Sequence, residues 1–325
     1  MRIKALSLFS GGLDSVLATK IIHNSGIELE ALYFYTVFCS YSRDREGCEK
    51  IVGGIAEAIK IPLKIMDVSQ DFLEVVKSPK YGYGSNLNPC IDCRIFMLKK
   101  AKEYMKDEGI NFIVTGEVLG ERPMSQNLDS LKLIDKAADL EGFVLRPLSA
   151  KLLPPTVAEK EGWVSRDKLF SIQGRSRKKQ FELAKELNIK NYLNPAGGCL
   201  LTDPIFSQRI KDLLGHNELD LDNVNLLKWG RYFRISSGLK LIIGRNEEDN
   251  RRLAYFARPD DLLLQVIETP GPVALVKGKD KVEVDRFLGE ISQKVASYAD
   301  RNNGSIKILL RRKEPYLEKI LTVYS

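Results

Sequence analysis

Two short runs of this sequence hold residues able to do chemistry. The first is Ser10-Gly11-Gly12-Leu13-Asp14-Ser15. Its paired glycines let backbone amides approach a ligand closely. The hydroxyls of Ser10 and Ser15 add donors, and a helix opening near Ser15 aims its positive end at the same point. Such a set suits phosphate oxygens. Asp14 has the wrong charge for a phosphate contact and the right one for holding Mg²⁺ or orienting a donor. The second run is Asn88-Pro89-Cys90-Ile91-Asp92-Cys93-Arg94, in which a short turn can close Cys90 and Cys93 on one metal or one substrate. A third thiol, Cys199, follows the glycine-rich stretch Pro195-Ala196-Gly197-Gly198, which offers close backbone access. Cys39 and Cys48 complete the five cysteines; neither has such a setting, and both read as small buried hydrophobes. An odd number of cysteines argues against a disulfide framework. His23 and His216 lack ligand spacing and read as surface residues.

The elements that must position these runs alternate in the first half of the chain. Residues 3–9 form an apolar strand pattern, 15–22 a helix, 29–38 a strand, 49–58 a helix, 63–68 a strand, 95–108 an amphipathic helix, and 111–115 a strand that meets Gly116. Strands separated by helices of this length imply βαβ units and a parallel sheet. Ligands of such sheets sit at the carboxyl ends of the strands. Phe9, Phe34 and Thr115 lie at those ends, so the runs that follow them can converge. A break near Asp203-Pro204 divides residues 1–203 from 204–325. The second part reads as a smaller α+β domain: a helix over 206–214, a hairpin of 231–235 and 239–243 through Ser237-Gly238, a helix over 247–256, strands at 262–267 and 273–276, a helix over 282–299 and a strand at 306–311.

The chain has 325 residues, which suits about two domains of roughly 100–200 residues each. No apolar run approaches the ~20 residues of a membrane span, so a soluble, cytoplasmic protein with no membrane partner is expected. A net charge of +7 fits a polyanionic partner such as nucleic acid.

Ser-Gly-Gly-Leu-Asp-Ser after a strand resembles the PP-loop of ATP pyrophosphatases; it is not Walker A, since no Gly-Lys-Ser/Thr follows. The resemblance implies a parallel-sheet, adenine nucleotide alpha-hydrolase-like fold. It further implies that ATP is split between its α- and β-phosphates while an acceptor oxygen is adenylated. Ser10, Gly11, Gly12, Asp14 and Ser15 are then the nucleotide contacts, and Phe34 matches a strand-end residue that packs near adenine. Asn88-Pro89-Cys90 with Cys93, and Cys199 about a hundred residues later, is similar to the arrangement in tRNA-specific 2-thiouridylases. The same three cysteines resemble those of sulfur-insertion enzymes that hold a 4Fe–4S cluster. A cluster on Cys90, Cys93 and Cys199, a cluster-free persulfide on Cys199, and a zinc site or unrelated thiols all stay open. Thr115-Gly116-Glu117-Val118-Leu119-Gly120 with Ser125-Gln126, continued by Ile134-Asp135 and Leu145-Arg146-Pro147-Leu148, resembles tRNA 4-thiouridine synthetases. That likeness implies that Gly116 and Gln126 line the ATP pocket and that Arg94 lies near the phosphates. One extra residue separates Gly116 from Gln126. With the PP-loop at residue 10, no room is expected for the N-terminal RNA-binding modules usual in those enzymes.

In the second domain, Arg231-Tyr232-Phe233-Arg234, Ile243-Gly244-Arg245-Asn246, Pro259-Asp260-Asp261 and Pro270-Gly271-Pro272 resemble the RNA-binding domain of NFACT-type proteins. Pro272 and Val273 stand where that family commonly shows Ser-His. Arg231, Arg234, Arg245 and Arg251 are candidate phosphate contacts, and Tyr232 or Phe233 a stacking platform. The basic run 175–179 is a further candidate for tRNA backbone. The expectation is an ATP- and Mg²⁺-dependent tRNA sulfurtransferase that makes 2- or 4-thiouridine. Cys90, Cys93, Cys199 and Asp14 would be its catalytic groups, and tRNA and a sulfide or persulfide donor its partners. The alternatives are a PP-loop synthetase acting on a small molecule and a non-catalytic RNA-binding protein.

Overall fold

Apolar residues that alternate in sidedness build the first sheet. The computed structural model describes residues 3–193, 198–278, 280–300 and 304–324. These divide into two compact units, Met1–Ser207 and Gln208–Ser325. The first unit runs β1 (Lys4–Leu8), α1 (Leu13–His23), β2 (Glu28–Tyr35), α2 (Arg45–Ala58), β3 (Leu63–Asp67), α3 (Ser69–Lys77), α4 (Cys90–Glu108), β4 (Phe112–Thr115), α5 (Leu128–Ala137), β5 (Val144–Leu145), α6 (Val157–Lys160) and α7 (Lys178–Glu186). Its five strands lie in the order β3-β2-β1-β4-β5, and every pairing is parallel. Successive side chains point to opposite faces. Ala5, Ala31, Phe112 and Val114 therefore enter a core with α1 and α2, while Leu6, Leu32 and Ile113 enter a second core with α4 and α5.

β1 has β2 on one side and β4 on the other. The direction of winding reverses there, and that opens a crevice beyond the carboxyl ends of β1 and β4. The loops that follow those two strands carry Ser10–Ser15 and Gly116–Gln126. α4 begins at Cys90, with Pro89 as its cap, five residues before the helix read from periodicity. Cys90 and Cys93 therefore sit in a first helical turn, one above the other, and not in a short turn between elements. Asp92 anchors that turn, accepting from the Lys80 and Tyr81 amides at 3.0 and 2.9 Å.

The second unit has α8 (Pro204–Gly215), which carries the division between units, then α9 (Leu221–Leu227), β6 (Arg231–Ser236), β7 (Leu239–Ile243), α10 (Glu247–Phe256), β8 (Leu262–Ile267), β9 (Val273–Lys277), α11 (Lys281–Ala296), β10 (Ser305–Arg312) and β11 (Leu317–Tyr324). Its six strands form one antiparallel sheet in the order β11-β10-β8-β9-β7-β6. α11 covers that sheet through Val284, Ile291 and Val295, which join Leu241, Leu264 and Ile308 in one core. Among the described residues no helix is long and apolar enough to cross a membrane.

One buried ionic network fixes the strand-end loop after β4. Arg146 donates to Glu117 at 3.0 Å and to both oxygens of Asp135 at 2.7 and 2.8 Å. Arg146 and Glu117 are 4% and 3% exposed, so each depends on the other for its charge. Burial works to raise the Glu117 carboxyl, but Arg146 and then Arg94 hold it below the ordinary carboxylate range. Its contribution is complete at neutral pH and is lost as pH falls through the depressed folded-state value. Glu117→Gln is expected to cost about 1.5–3 kcal/mol at pH 7 in urea unfolding, because it removes one of the two carboxylates that balance the buried Arg146 and leaves it to Asp135. The gap to the parent protein should narrow as the pH is taken below about 4; a gap independent of pH would deny Glu117 this role.

Candidate active site

The loop from β1 to α1 is shaped by its own hydroxyls. The Ser15 hydroxyl donates to the Gly12 carbonyl at 2.9 Å, and Ser10 Oγ lies 3.2 Å from Ser15 Oγ. Gly11 has φ of 76°, a backbone conformation that favours glycine. Its carbonyl accepts from the Leu193 amide at 2.7 Å, which ties the loop to a segment far along the chain. Gly12 caps α1 with no side-chain bond, leaving the first amides of the helix directed at the crevice.

Gly116 closes the floor. A Cβ there would stand 2.4 Å from the Ser15 nitrogen and 2.5 Å from the Asp14 carbonyl carbon. Only a residue without a side chain lets the end of β4 seat against the first turn of α1. Gln126 is buried, and its side-chain carbonyl accepts from the Arg122 amide at 3.1 Å, fixing the turn of residues 120–126. It faces the crevice as well.

These parts surround one cavity of about 600 Å³, within the range usual for small-molecule sites. Of the nucleotide residues expected from sequence, Ser10, Gly12, Asp14, Ser15, Phe34, Arg94, Gly116 and Gln126 line it. Gly11 is not part of the lining; a Cβ there would meet Leu193 at 3.0 Å and Ile55 at 3.3 Å. Leu8, Leu32, Phe34 and Met97 are apolar members of the lining, suited to a base. Arg94, Arg122, Arg175 and Arg177 are its basic members, suited to phosphates. Asp14 Oδ1 and Glu121 Oε2 are buried without a hydrogen-bond partner among the described residues. Burial first, then the charge of Glu121, pushes the Asp14 carboxyl up to about 6, against the pull of Arg177. Two carboxylates with open oxygens beside a phosphate-shaped loop fit a hard divalent cation such as Mg²⁺.

The cysteines reach the same cavity by a set of backbone ties. The Leu200 amide donates to the Phe38 carbonyl at 2.8 Å, and Cys39 and Cys199 pair as an isolated antiparallel bridge. The Asn86 side-chain amide donates to the Thr202 carbonyl at 2.7 Å, and the Leu87 amide to the Leu201 carbonyl at 3.2 Å. Residue 199 is thereby laid against both the loop after β2 and the loop before α4. Cys90, Cys93 and Cys199 all line the cavity. Residues 194–197 of the glycine-rich stretch lie outside the described residues.

Among the described residues no three Cys, His, Asp or Glu side chains converge on a single metal ion. The three thiols line one cavity and act on one another's charge, Cys93 and Cys90 both working, after burial, to raise Cys199. Burial raises the Cys90 thiol, pushes Cys93 up to about 11 and Cys199 up to about 12. The helix N-terminus under Cys90 and Cys93 would favour thiolates, and burial outweighs it. Cys39 differs. A hydrogen bond from Cys48 draws it down to about 6, helped by Tyr33 and opposed by burial. Both Cys39 and Cys48 are buried, as the sequence suggested, yet Cys39 is part of the cavity wall.

In the second unit the four expected arginines are differently employed. Arg234 is largely buried and pairs with Asp212 at 2.6 Å and Glu218 at 2.7 Å. Arg231 lies over the Tyr298 ring at 4.6 Å, and Arg245 pairs with the buried Asp249 at 2.6 Å. Arg251 is exposed on α10. The Tyr232 hydroxyl also donates to Asp212, so Asp212 gathers Tyr232 and Arg234 from β6.

Residues 2–151 match the ThiI family, described as thiamine biosynthesis protein (ThiI). Residues 230–325 match a second family, the NFACT protein RNA binding domain. A probable tRNA sulfurtransferase of Alkaliphilus oremlandii is 31% identical over 151 residues, 45% of this chain and 36% of that one. A tRNA-specific 2-thiouridylase MnmA of Campylobacter hominis is 27% identical over 164 residues, 48% of this chain and 41% of that one. The chain thus spans well under half the length of these curated relatives. Among solved structures, a 4-thiouridine synthetase–RNA complex with bound ATP aligns over 69% of this chain and 53% of that one, at 21% identity and a TM-score of 0.38.

The ThiI-like stretch ends before Arg177 and Cys199, so the cavity is completed by residues outside it. Sequence reading missed Glu121, Arg122, Tyr33, Tyr41 and Cys39 as wall residues. Glu121-Arg122 directly follows the Thr-Gly-Glu run, and that adjacency was the available signal. Arg177 belonged to the basic run, and its ion pair with Glu121 brings it into the cavity.

Gly116→Ala is expected to weaken ATP binding at least about tenfold in calorimetry, because the added methyl forces the end of β4 off α1. Unchanged affinity would show that the contact is dispensable. Arg234→Ala is expected to lower the unfolding free energy by about 1.5–3 kcal/mol in chemical denaturation. A loss under 0.5 kcal/mol, the range usual for surface changes, would return Arg234 to the solvated face.

Proposed function

We propose that this protein is an ATP-dependent tRNA sulfurtransferase that adenylates a uridine carbonyl oxygen and replaces it with sulfur, giving thiouridine at the 2- or 4-position. The observation that carries the reading is a shared cavity: the PP-loop, the Cys90/Cys93 pair and Cys199 face one space. A nucleotide site and a sulfur site in one volume suit a reaction in which the same carbon is first activated and then substituted. The relatives named as tRNA sulfurtransferases and 2-thiouridylase support it from the first unit, and the NFACT-type match supports RNA binding by the second.

ATP would lie with its base toward Phe34 and Met97 and its phosphates on the PP-loop amides, within reach of Arg94, Arg122 and Arg177. Asp14 and Glu121 would hold Mg²⁺, which supplies charge neutralisation for the departing pyrophosphate. The uridine oxygen attacks the α-phosphate and pyrophosphate leaves. Adenylation turns a poor leaving group into a good one. A sulfur nucleophile then adds at the activated carbon and AMP departs. Cys199 is assigned the delivery of that sulfur. The alternative within the same reading is a 4Fe–4S cluster held by Cys90, Cys93 and Cys199; when bound it would supply an iron site for sulfide. The target base must leave its stack to enter a cavity of this kind. Arg251 on the exposed face of α10 is the free candidate for a phosphate of the RNA backbone, with the paired Arg231, Arg234 and Arg245 shaping the surface around it.

Anaerobic incubation with unmodified tRNA, Mg·ATP and sulfide, followed by nucleoside chromatography with mass spectrometry, tests the reading. The two thiouridines share one mass, so both standards must be run. An ATP-dependent thiouridine is expected, lost in Cys199→Ala while ATP binding persists. Full activity in Cys199→Ala would remove that residue from the mechanism. Absence of both thiouridine and tRNA binding would shift the assignment to a small-molecule synthetase.

A further inference from the structure

A second thiol pair adjoins the cavity, and the sulfur step above does not use it. Cys39 Sγ and Cys48 Sγ are 2.7 Å apart, with Cys48 donating. Neither is in a disulfide, and the separation exceeds the ~2.05 Å of a bond. Their surroundings differ. Cys39 stands in the turn after β2, held by its amide to the Thr36 carbonyl at 3.0 Å, and lines the cavity. Cys48 lies in the first turn of α2, wholly buried, behind it. An outer sulfur open to the cavity and an inner one sheltered behind it are the placement of an attacking and a resolving thiol. The Tyr33 hydroxyl is 3.5 Å from Cys39 Sγ, and Cys48 makes a second contact with the Ser42 carbonyl at 3.7 Å. Cys39 is also the backbone partner of Cys199, so whatever it releases is released beside the sulfur-delivering residue.

We propose that Cys39 and Cys48 form a dithiol that reduces a sulfane-sulfur donor, a persulfide or polysulfide, and releases hydrosulfide into the cavity. The proposal rests on the sulfurtransferase reading for its purpose and not for its chemistry. In the first step the Cys39 sulfur attacks the terminal sulfur of R–S–SH. The donor S–S bond breaks, R–SH leaves with the proton, and Cys39 carries a persulfide. No net oxidation has occurred. In the second step the Cys48 sulfur attacks Cys39 Sγ. The bond from Cys39 to its outer S–H group breaks, that group leaves as hydrosulfide, and the proton of Cys48 goes to solvent. A Cys39–Cys48 disulfide remains. The two thiols have lost two electrons and the sulfane sulfur has gained them. An external dithiol reductant restores the pair and is itself oxidised to a disulfide.

The test needs neither ATP nor tRNA, so its outcome is separable from that of the thiolation assay. The full chain is reduced, desalted and mixed anaerobically with inorganic tetrasulfide. Hydrosulfide is measured above a protein-free blank, and the protein is alkylated and mapped by mass spectrometry. About one hydrosulfide per chain is expected, together with a linked Cys39–Cys48 peptide. Cys48→Ser should hold an alkylated persulfide on Cys39 and bring release down to the blank. Release from the parent protein with both Cys39 and Cys48 still alkylated overturns the proposal. So does a linkage through Cys90, Cys93 or Cys199 in its place. The map of the parent protein decides between these outcomes even if the variant does not fold. Thiouridine formation failing with hydrosulfide supplied counts against the sulfurtransferase reading and leaves the dithiol result standing.

Discussion

The candidate site depends on a missing side chain. At Gly116 the end of β4 comes so close to the backbone of Asp14 and Ser15 that no Cβ has room. That approach joins the two loops at the point where the sheet changes its direction of winding. It brings Glu117, Glu121, Arg122 and Gln126 to the nucleotide loop from a strand more than a hundred residues downstream. The buried Arg146 holds the same loop from beneath by its bonds to Glu117 and Asp135. Backbone contact above and ion pairing below leave this segment little freedom, which is what a preorganised phosphate site requires.

The cavity wall carries both signs of charge. Arginines 94, 122, 175 and 177 line the wall with the carboxylates of Asp14 and Glu121, Arg177 pairing with Glu121 and acting with Arg122 on Asp14. Burial drives the opposite way for anions, holding the Asp14 carboxyl and the thiols of Cys93 and Cys199 toward their protonated forms. The empty cavity is therefore less negative than its residue list suggests. A polyanionic ligand meets guanidinium groups beside an Asp14 carboxyl that burial holds toward its neutral form. Cys39 departs from that pattern because its neighbour is a donor, not only an apolar wall.

Much of the first unit was legible in the sequence, since strand and helix periods differ and the Gly-Gly turn stands where they meet. Asn88-Pro89-Cys90 was legible as chemistry and not as geometry. Pro89 fixes a helix start that periodicity, which needs several turns of pattern, placed five residues late. Cys39 was unreadable for a different reason: its surroundings come from Tyr33 on β2, Cys48 on α2 and Cys199 across a bridge. No local run contains those partners. Arg234 shows the converse. An arginine on a basic strand invites a reading as a phosphate contact, but Asp212 and Glu218, both in α8 or just beyond it, neutralise it within the unit. Acidic partners at a separation of about twenty residues leave no pattern that hydrophobic spacing can reveal.

The Leu193–Gly11 hydrogen bond has a consequence in time. The nucleotide loop forms early along the chain, yet its carbonyl finds its partner only ~180 residues later, which at ~5–20 residues per second is ~10–40 s of ribosomal synthesis. The thiol of Cys199 arrives later still. During that interval the nascent sheet carries an open crevice that has Cys90 and Cys93 but not Cys199, and long-range closure of this kind is slow even after the chain is complete. The order of synthesis thus delays assembly of the reactive centre until the scaffold that contains it has been made.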